Sequence, residues 1–176
     1  MKSAKKILAL ILAGVMALAL LTGCGKATSL NRTTAEVLAE FAKSSLADEG
    51  NKNNISVSYQ VPELSREIAP LFDENWITQD NGHDVLNSAY IVNGKTVEDT
   101  LTDILSSYMS DSRVDFAAAD VTDGKTPFME VAKLLYSRIG FGGGSSNPAD
   151  ATSIRIAVVH KTVNGRTYAL AVTIAE

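Results

Sequence analysis

Few residues in this chain combine a type and a spacing that could do chemistry. The one cysteine, Cys24, carries a thiol that can take a lipid, a metal or a disulfide partner. Of the two histidines, His83 lies in Asn81-Gly82-His83-Asp84, where the adjacent carboxylate could orient an imidazole or help hold a metal. A metal site needs three or four ligands, and no second histidine or cysteine stands at a ligand spacing. His83 therefore reads as an exposed turn residue, with His83 and Asp84 kept as a speculative binding pair. His160 sits beside Lys161 near the end of a β-rich run and reads as structural. Asp111, Asp115, Asp120 and Asp123 offer the hard oxygen donors that suit calcium, but their spacing is not that of an EF-hand loop, and the segment reads as a solvated acidic linker. No serine stands in Gly-x-Ser-x-Gly. The glycine-rich run Gly140 to Pro148 leaves a helix and precedes a strand, and it lacks the Gly-Lys-Ser/Thr of a phosphate-cradling loop. No catalytic residue, metal site or cofactor is assigned, and the expectation is a non-catalytic binding or interaction domain.

The surroundings of Cys24 are more informative. Lys2, Lys5 and Lys6 precede an apolar run from Ile7 to Leu21, which is long enough to enter a translocon and short for a stable span. That order of charge and apolar run is the pattern of a signal peptide. Leu21-Thr22-Gly23-Cys24 then resembles the lipobox of bacterial lipoproteins. The resemblance implies cleavage before Cys24, diacylglycerol on its thiol and acyl chains of the palmitate kind, each buried methylene adding about 0.8 kcal/mol of membrane affinity. The expected division is a signal peptide over 1–23, a lipidated tether over 24–32 and a single globular domain over 33–176. The expected location is the extracytoplasmic face of the cell membrane. The expected partners are membrane lipid, through Cys24 acylation, and another envelope protein or an extracellular ligand.

Cleavage leaves 153 of the 176 residues, one domain's worth and enough to bury a core. Loss of the three leader lysines takes the formal charge from −4 to −7. An acidic surface argues against nucleic acid and against electrostatic docking on anionic lipid. With Cys24 acylated no thiol remains for a disulfide, so packing alone must stabilise the domain.

Several elements follow from spacing. Thr33-Thr34-Ala35-Glu36 has the form of a capping box, and Val37, Leu38, Phe41, Ala42 and Leu46 follow at helical intervals, predicting a helix over 34–47. Ile55 to Val61 alternates apolar and polar as a strand does. Leu64, Ile68, Leu71 and Phe72 share the face of a helical piece interrupted by Pro70. Residues 80–84 read as a polar turn, and 89–92 as a short strand ending at Asn93-Gly94. Thr96 caps a helix running to about 109, and Thr126-Pro127 opens another that reaches Ile139. Between them, 110–124 reads as a linker with a helical turn around Phe116 to Ala119.

The firmest fold signal is the pair of runs 153–163 and 166–175, joined by Asn164-Gly165, the dipeptide that a type I′ hairpin turn prefers. A two-residue loop places Val159 opposite Leu170, Ala157 opposite Val172 and Val158 opposite Ala171. Ala157, Val159, Leu170, Val172 and Ile174 then share one face, and Ile154, Ile156, Val158, Ala169 and Ala171 the other. A sheet apolar on both sides must be covered on both sides. The expected architecture is an α/β sandwich of the α+β class, with an antiparallel sheet built on this C-terminal hairpin and helices on both faces.

Two stretches also resemble the cysteine-rich secretory protein (CAP) superfamily. Asp123-Gly124-Lys125-Thr126-Pro127-Phe128 is similar to the family's Asp-Gly-x-x-Pro-Phe segment, and Trp76 with Gly82-His83 and Leu86 to its Trp, Gly-His and Leu segment, here in the reverse order. The resemblance implies an antiparallel sheet between helical layers and, as the alternative function, an extracellular domain with a histidine-containing cavity around His83.

Overall fold

The computed structural model describes residues 28–124, 126–141 and 147–176. The leader, the Leu-Thr-Gly-Cys motif with Cys24, and the middle of the glycine-rich run lie outside the described residues. The fold is α+β, a mixed sheet with helices on both faces and a C-terminal β-hairpin.

That hairpin is β8 (Ser153–Val163) with β9 (Arg166–Ala175), in the register expected, Val159 opposite Leu170 and Ala157 opposite Val172. Its turn works because Asn164 and Gly165 both hold positive φ, +52° and +78°, as a type I′ turn requires. The five-stranded sheet has the order β1-β8-β9-β6-β7, where β1 is Ser56–Ser58, β6 is Arg113–Asp120 and β7 is Arg138–Phe141. β1 runs parallel to β8 and the other pairs are antiparallel, so the sheet is mixed where an antiparallel one was expected. The reason lies in the first helix, α1 (Thr28–Asp48), which runs antiparallel along β8. Asn31 meets His160 at one end, and Asn51 just beyond the helix meets the carbonyl of Ala151 at the other. After one turn at Gly50 the chain therefore enters β1 in the direction of β8.

The linker expected over 110–124 is the largest departure. β6 occupies most of it, paired along its whole length with Tyr168 to Ala175 of β9 on one side and with β7 on the other, and its residues from Val114 to Ala119 are buried. The helix expected to reach Ile139 stops sooner. α3 (Pro127–Tyr136) ends before β7, which takes Ile139 opposite Phe116. α1 is described from Thr28, ahead of the start expected at 34, so Thr33 is internal to a helix, and residues 28–32 of the expected tether are helical.

Two cores lie on opposite faces of the sheet. Ile154, Ile156, Val158, Ala169 and Ala171 pack beneath α1 and α3 with Leu38, Val131 and Leu134. Leu170, Val172, Ile174 and Phe116 pack on the other face with Leu64, Ile68, Phe72, Trp76 and the helix α2 (Val97–Met109). The face assignment read from the hairpin register is the one observed. The helices α2 and α3 start where their caps were expected. Thr96 Oγ1 accepts from Asp99 N at 3.0 Å, and Thr126 Oγ1 accepts from Met129 N at 3.3 Å ahead of Pro127. Two small hairpins complete the fold, β2 (Ile77–Asp80) with β3 (His83–Leu86), and β4 (Ile91–Val92) with β5 (Lys95–Thr96). Among the described residues no helix is long and apolar enough to cross a membrane.

Candidate functional site

His83 opens β3 directly after the Asn81-Gly82 turn, and it is exposed. Its ring stacks on that of Tyr136 at the end of α3, with centroids 5.8 Å apart and planes within 18°. Tyr136 is itself 75 % exposed, so the two rings form an aromatic pair open to water. Asp84 points elsewhere. Its Oδ2 accepts from the backbone N of Asp120 at 2.8 Å, and its Oδ1 accepts from the Gln79 side chain. β7 pairs with β6 only from Val114 to Ala117, and Asp84 serves the next free amide along that edge. The structure thus separates His83 from Asp84: one faces solvent, while the other completes the sheet.

The described histidine that does meet a carboxylate is His160. In β8 it shares the side of Ile154, Ile156 and Val158, which faces α1 and α3. Its Nε2 lies 2.8 Å from Glu130 Oε2 and its Nδ1 lies 2.5 Å from Asn31 Oδ1. Thr34 Oγ1 donates to the same Glu130 oxygen at 3.1 Å. The side chains of His160 and Glu130 are 10 % and 6 % exposed, and Thr34 is fully buried. Each ring nitrogen has a polar partner, and Nε2 faces the Glu130 carboxylate. Glu130 is in the first turn of α3, where the helix dipole favours a carboxylate. The chain also closes tightly over it. A β-carbon on Gly124 would stand 2.8 Å from Glu130 Cγ and 2.9 Å from the Val121 carbonyl oxygen, so this approach needs glycine.

A histidine bonded to a carboxylate is the base-and-orienter half of a nucleophilic site. Here the second ring nitrogen is taken by Asn31, and the neighbouring hydroxyl donates to the carboxylate instead of to the ring. All four polar groups are spent on joining α1, α3 and β8. The spacing did hold one signal for this cluster: His160 falls on an apolar face of the hairpin, and a polar group turned inward needs a partner.

The aspartates considered for calcium are dispersed. Asp115 is buried beside Arg113 near the start of β6, and Arg113 also reaches Glu49 at 3.0 Å. Asp120 stands at the other end of the strand, bound by Thr122 through both its amide and its hydroxyl, and by Arg166. Burial pushes the Asp120 carboxyl upward, but the Thr122 hydrogen bonds and the Arg166 guanidinium outweigh it and hold the group below its ordinary value. Among the described residues no group of three or more histidine, cysteine, aspartate or glutamate side chains could hold a metal ion. A cleft of about 190 Å³ opens at the far end of α1, lined by Lys43, Ala47, Asn51, Asn53, Asn54 and Ile55. The amides of Asn51 and Asn53 are engaged there by the carbonyls of Pro148, Asp150 and Ala151.

Comparison with protein-family models, curated proteins and solved structures finds no match.

Proposed function

We propose that this protein is a lipid-anchored envelope protein on the extracytoplasmic face of the membrane, whose domain binds a partner and carries out no catalysis. The observation that carries the reading is the order of Lys2, Lys5 and Lys6, the apolar run Ile7 to Leu21, and Leu-Thr-Gly ahead of Cys24, the one cysteine of the chain. A thiol placed there, behind an export signal and with no second thiol in the chain to pair with, supports acylation over a disulfide within the chain. The partner role is supported by the aromatic pair of His83 and Tyr136 held open to water, since exposed aromatic side chains are more typical of contact surfaces than of solvated ones. The partner is another envelope protein or an extracellular ligand.

The test is a Cys24→Ser variant, followed by membrane fractionation and by incorporation of labelled fatty acid. Loss of label and release from the membrane, with the domain still folded, is the expected result. A variant that stays in the membrane fraction without label would refute acylation as the attachment. Turnover of an ester or cell-wall substrate by the purified domain, abolished by a point substitution, would count against the non-catalytic assignment.

A further inference from the structure

We infer that the end of the sheet carrying the β8–β9 turn faces the lipid headgroups and lies against them. The inference rests on the anchor proposed above and adds an orientation to it. Helix α1 is described from Thr28 onward. Thr28 is four residues after Cys24, and four extended residues reach at most about 14 Å.

The first turns of α1 do not swing free of the domain. Asn31 is bound to His160 and Thr34 to Glu130, and the Arg32 guanidinium lies 3.8 Å over the Tyr59 ring. α1 runs antiparallel to β8, so its N-terminus and the hairpin turn point the same way. Thr28 lies three helical residues beyond Asn31, about 4.5 Å along the axis. Asn164 lies four strand residues beyond His160, about 13 Å in the same direction. The turn therefore projects about 9 Å past Thr28, and the greatest reach from Cys24 leaves it at most about 5 Å short of the acylated residue's level, inside a headgroup zone of about 5 to 7 Å.

The chemistry of that end suits the position. Thr122, Thr162, Asn164 and Gly165 are exposed there; the two threonine hydroxyls are engaged within the domain by Asp120 and Thr167, and the turn at Asn164 and Gly165 offers amide and backbone groups to phosphate and carbonyl oxygens. Arg166 is paired with Asp120, so this end needs no attraction to anionic lipid. The opposite end, with Asn54 and the cleft beside it, is turned away from the membrane.

The test uses the full-length processed protein reconstituted into phosphatidylcholine and phosphatidylglycerol vesicles that carry a nitroxide quencher on some headgroups. Because Cys24 is the one native cysteine and its sulfur is blocked by lipid, a fluorophore maleimide reports a single introduced site. Thr162→Cys places it beside the turn, and Asn54→Cys at the far end. The expected result is several-fold stronger quenching at position 162 than at 54. Equal quenching, or stronger quenching at 54, in protein that floats with the vesicles overturns the orientation while leaving the anchor intact. Failure to float, or maleimide labelling of the protein without an introduced cysteine, removes the anchor and the orientation with it. Inserting twelve glycine and serine residues after Cys24 gives a coil with a span of about 20 Å and should abolish the difference; a difference that survives the insertion would show that the anchor's reach does not set the orientation.

Discussion

Replacing Glu130 by leucine removes the acceptor shared by two elements. Its Oε2 takes a hydrogen bond from His160 Nε2 at 2.8 Å and another from Thr34 Oγ1 at 3.1 Å. The imidazole would be left in a packed interface with an unanswered N–H, and Thr34 with an unanswered hydroxyl. Leaving a buried donor without its acceptor costs about 1–3 kcal/mol, and two donors lose theirs here. The residual exposure of the ring, 10 %, admits some water, and the leucine recovers apolar contact, so the net loss expected is about 3 kcal/mol. For a domain of this size that corresponds to a melting temperature lower by roughly 6–12 °C. The double variant Glu130→Leu with His160→Phe removes both polar partners, and it should be less destabilised than the two single changes added together, by about 1–3 kcal/mol. Urea unfolding of the chain from Gly25 onward measures this, with the buried Trp76 as a fluorescent probe. Hydrogen exchange in the same variants should rise first in the amides of α1 between Asn31 and Ala35. A double variant whose loss equals the sum of the singles would show that the two side chains do not act as a unit, and the account of the cluster as a clamp would fall.

Two further changes test the hairpin-turn end of the sheet. The Asp120 carboxyl is held below its ordinary value of 3.8, so it contributes stability above that pH and loses it as pH falls through the depressed value. Asp120→Asn should accordingly be less stable than the native protein at pH 7 and show a shallower loss below about pH 4; urea midpoints at pH 7 and pH 3 read the difference, and parallel curves for the two proteins would contradict it. Gly165 holds φ +78° with open space where a β-carbon would go, so Gly165→Ala isolates backbone strain from packing. The expected cost is about 1 kcal/mol, Gly165→Asn should cost less, and identical unfolding midpoints for all three proteins would mean that the turn does not need this conformation.

What could be read in advance divides along physical lines. The register of β8 and β9 was legible because a two-residue Asn-Gly turn leaves no freedom of pairing, and one register settles which residues share a face. The caps at Thr96 and Thr126 were legible because they are local. β6 was not. Its core is Ala117, Ala118 and Ala119, residues that by themselves favour helix over strand, and aspartates stand at either side of that core. Alanine belongs there for a tertiary reason. Ala117 pairs with Ala171 and Ala119 with Ala169, giving a floor of small side chains on which α3 can lie close enough for Glu130 to reach β8. The β2–β3 hairpin carried the Asn81-Gly82 signal, but Thr78, Gln79, Asp80 and His83 are all exposed, so no apolar alternation framed the turn.

The start of α1 joins these points. Thr28, Ser29 and Asn31 are poor helix formers, and local preference alone assigns them to a tether ending near Arg32. They lie in the helix because its buried side is fastened by Asn31 to His160 and by Thr34 to Glu130, contacts of high sequence separation that no local window contains. The consequence is mechanical. A free segment from Cys24 to Arg32 would let the domain stand as much as about 30 Å from its anchor and turn in any direction, whereas one that ends at Thr28 allows about 14 Å. The clamp around His160 then has a second role beyond stability, since loosening it would lengthen the tether as well as weaken the fold. Glu130→Leu in the lipidated protein should for that reason reduce headgroup quenching at position 162 under conditions where the sheet remains folded, and quenching unchanged from the native protein would separate the clamp from the orientation.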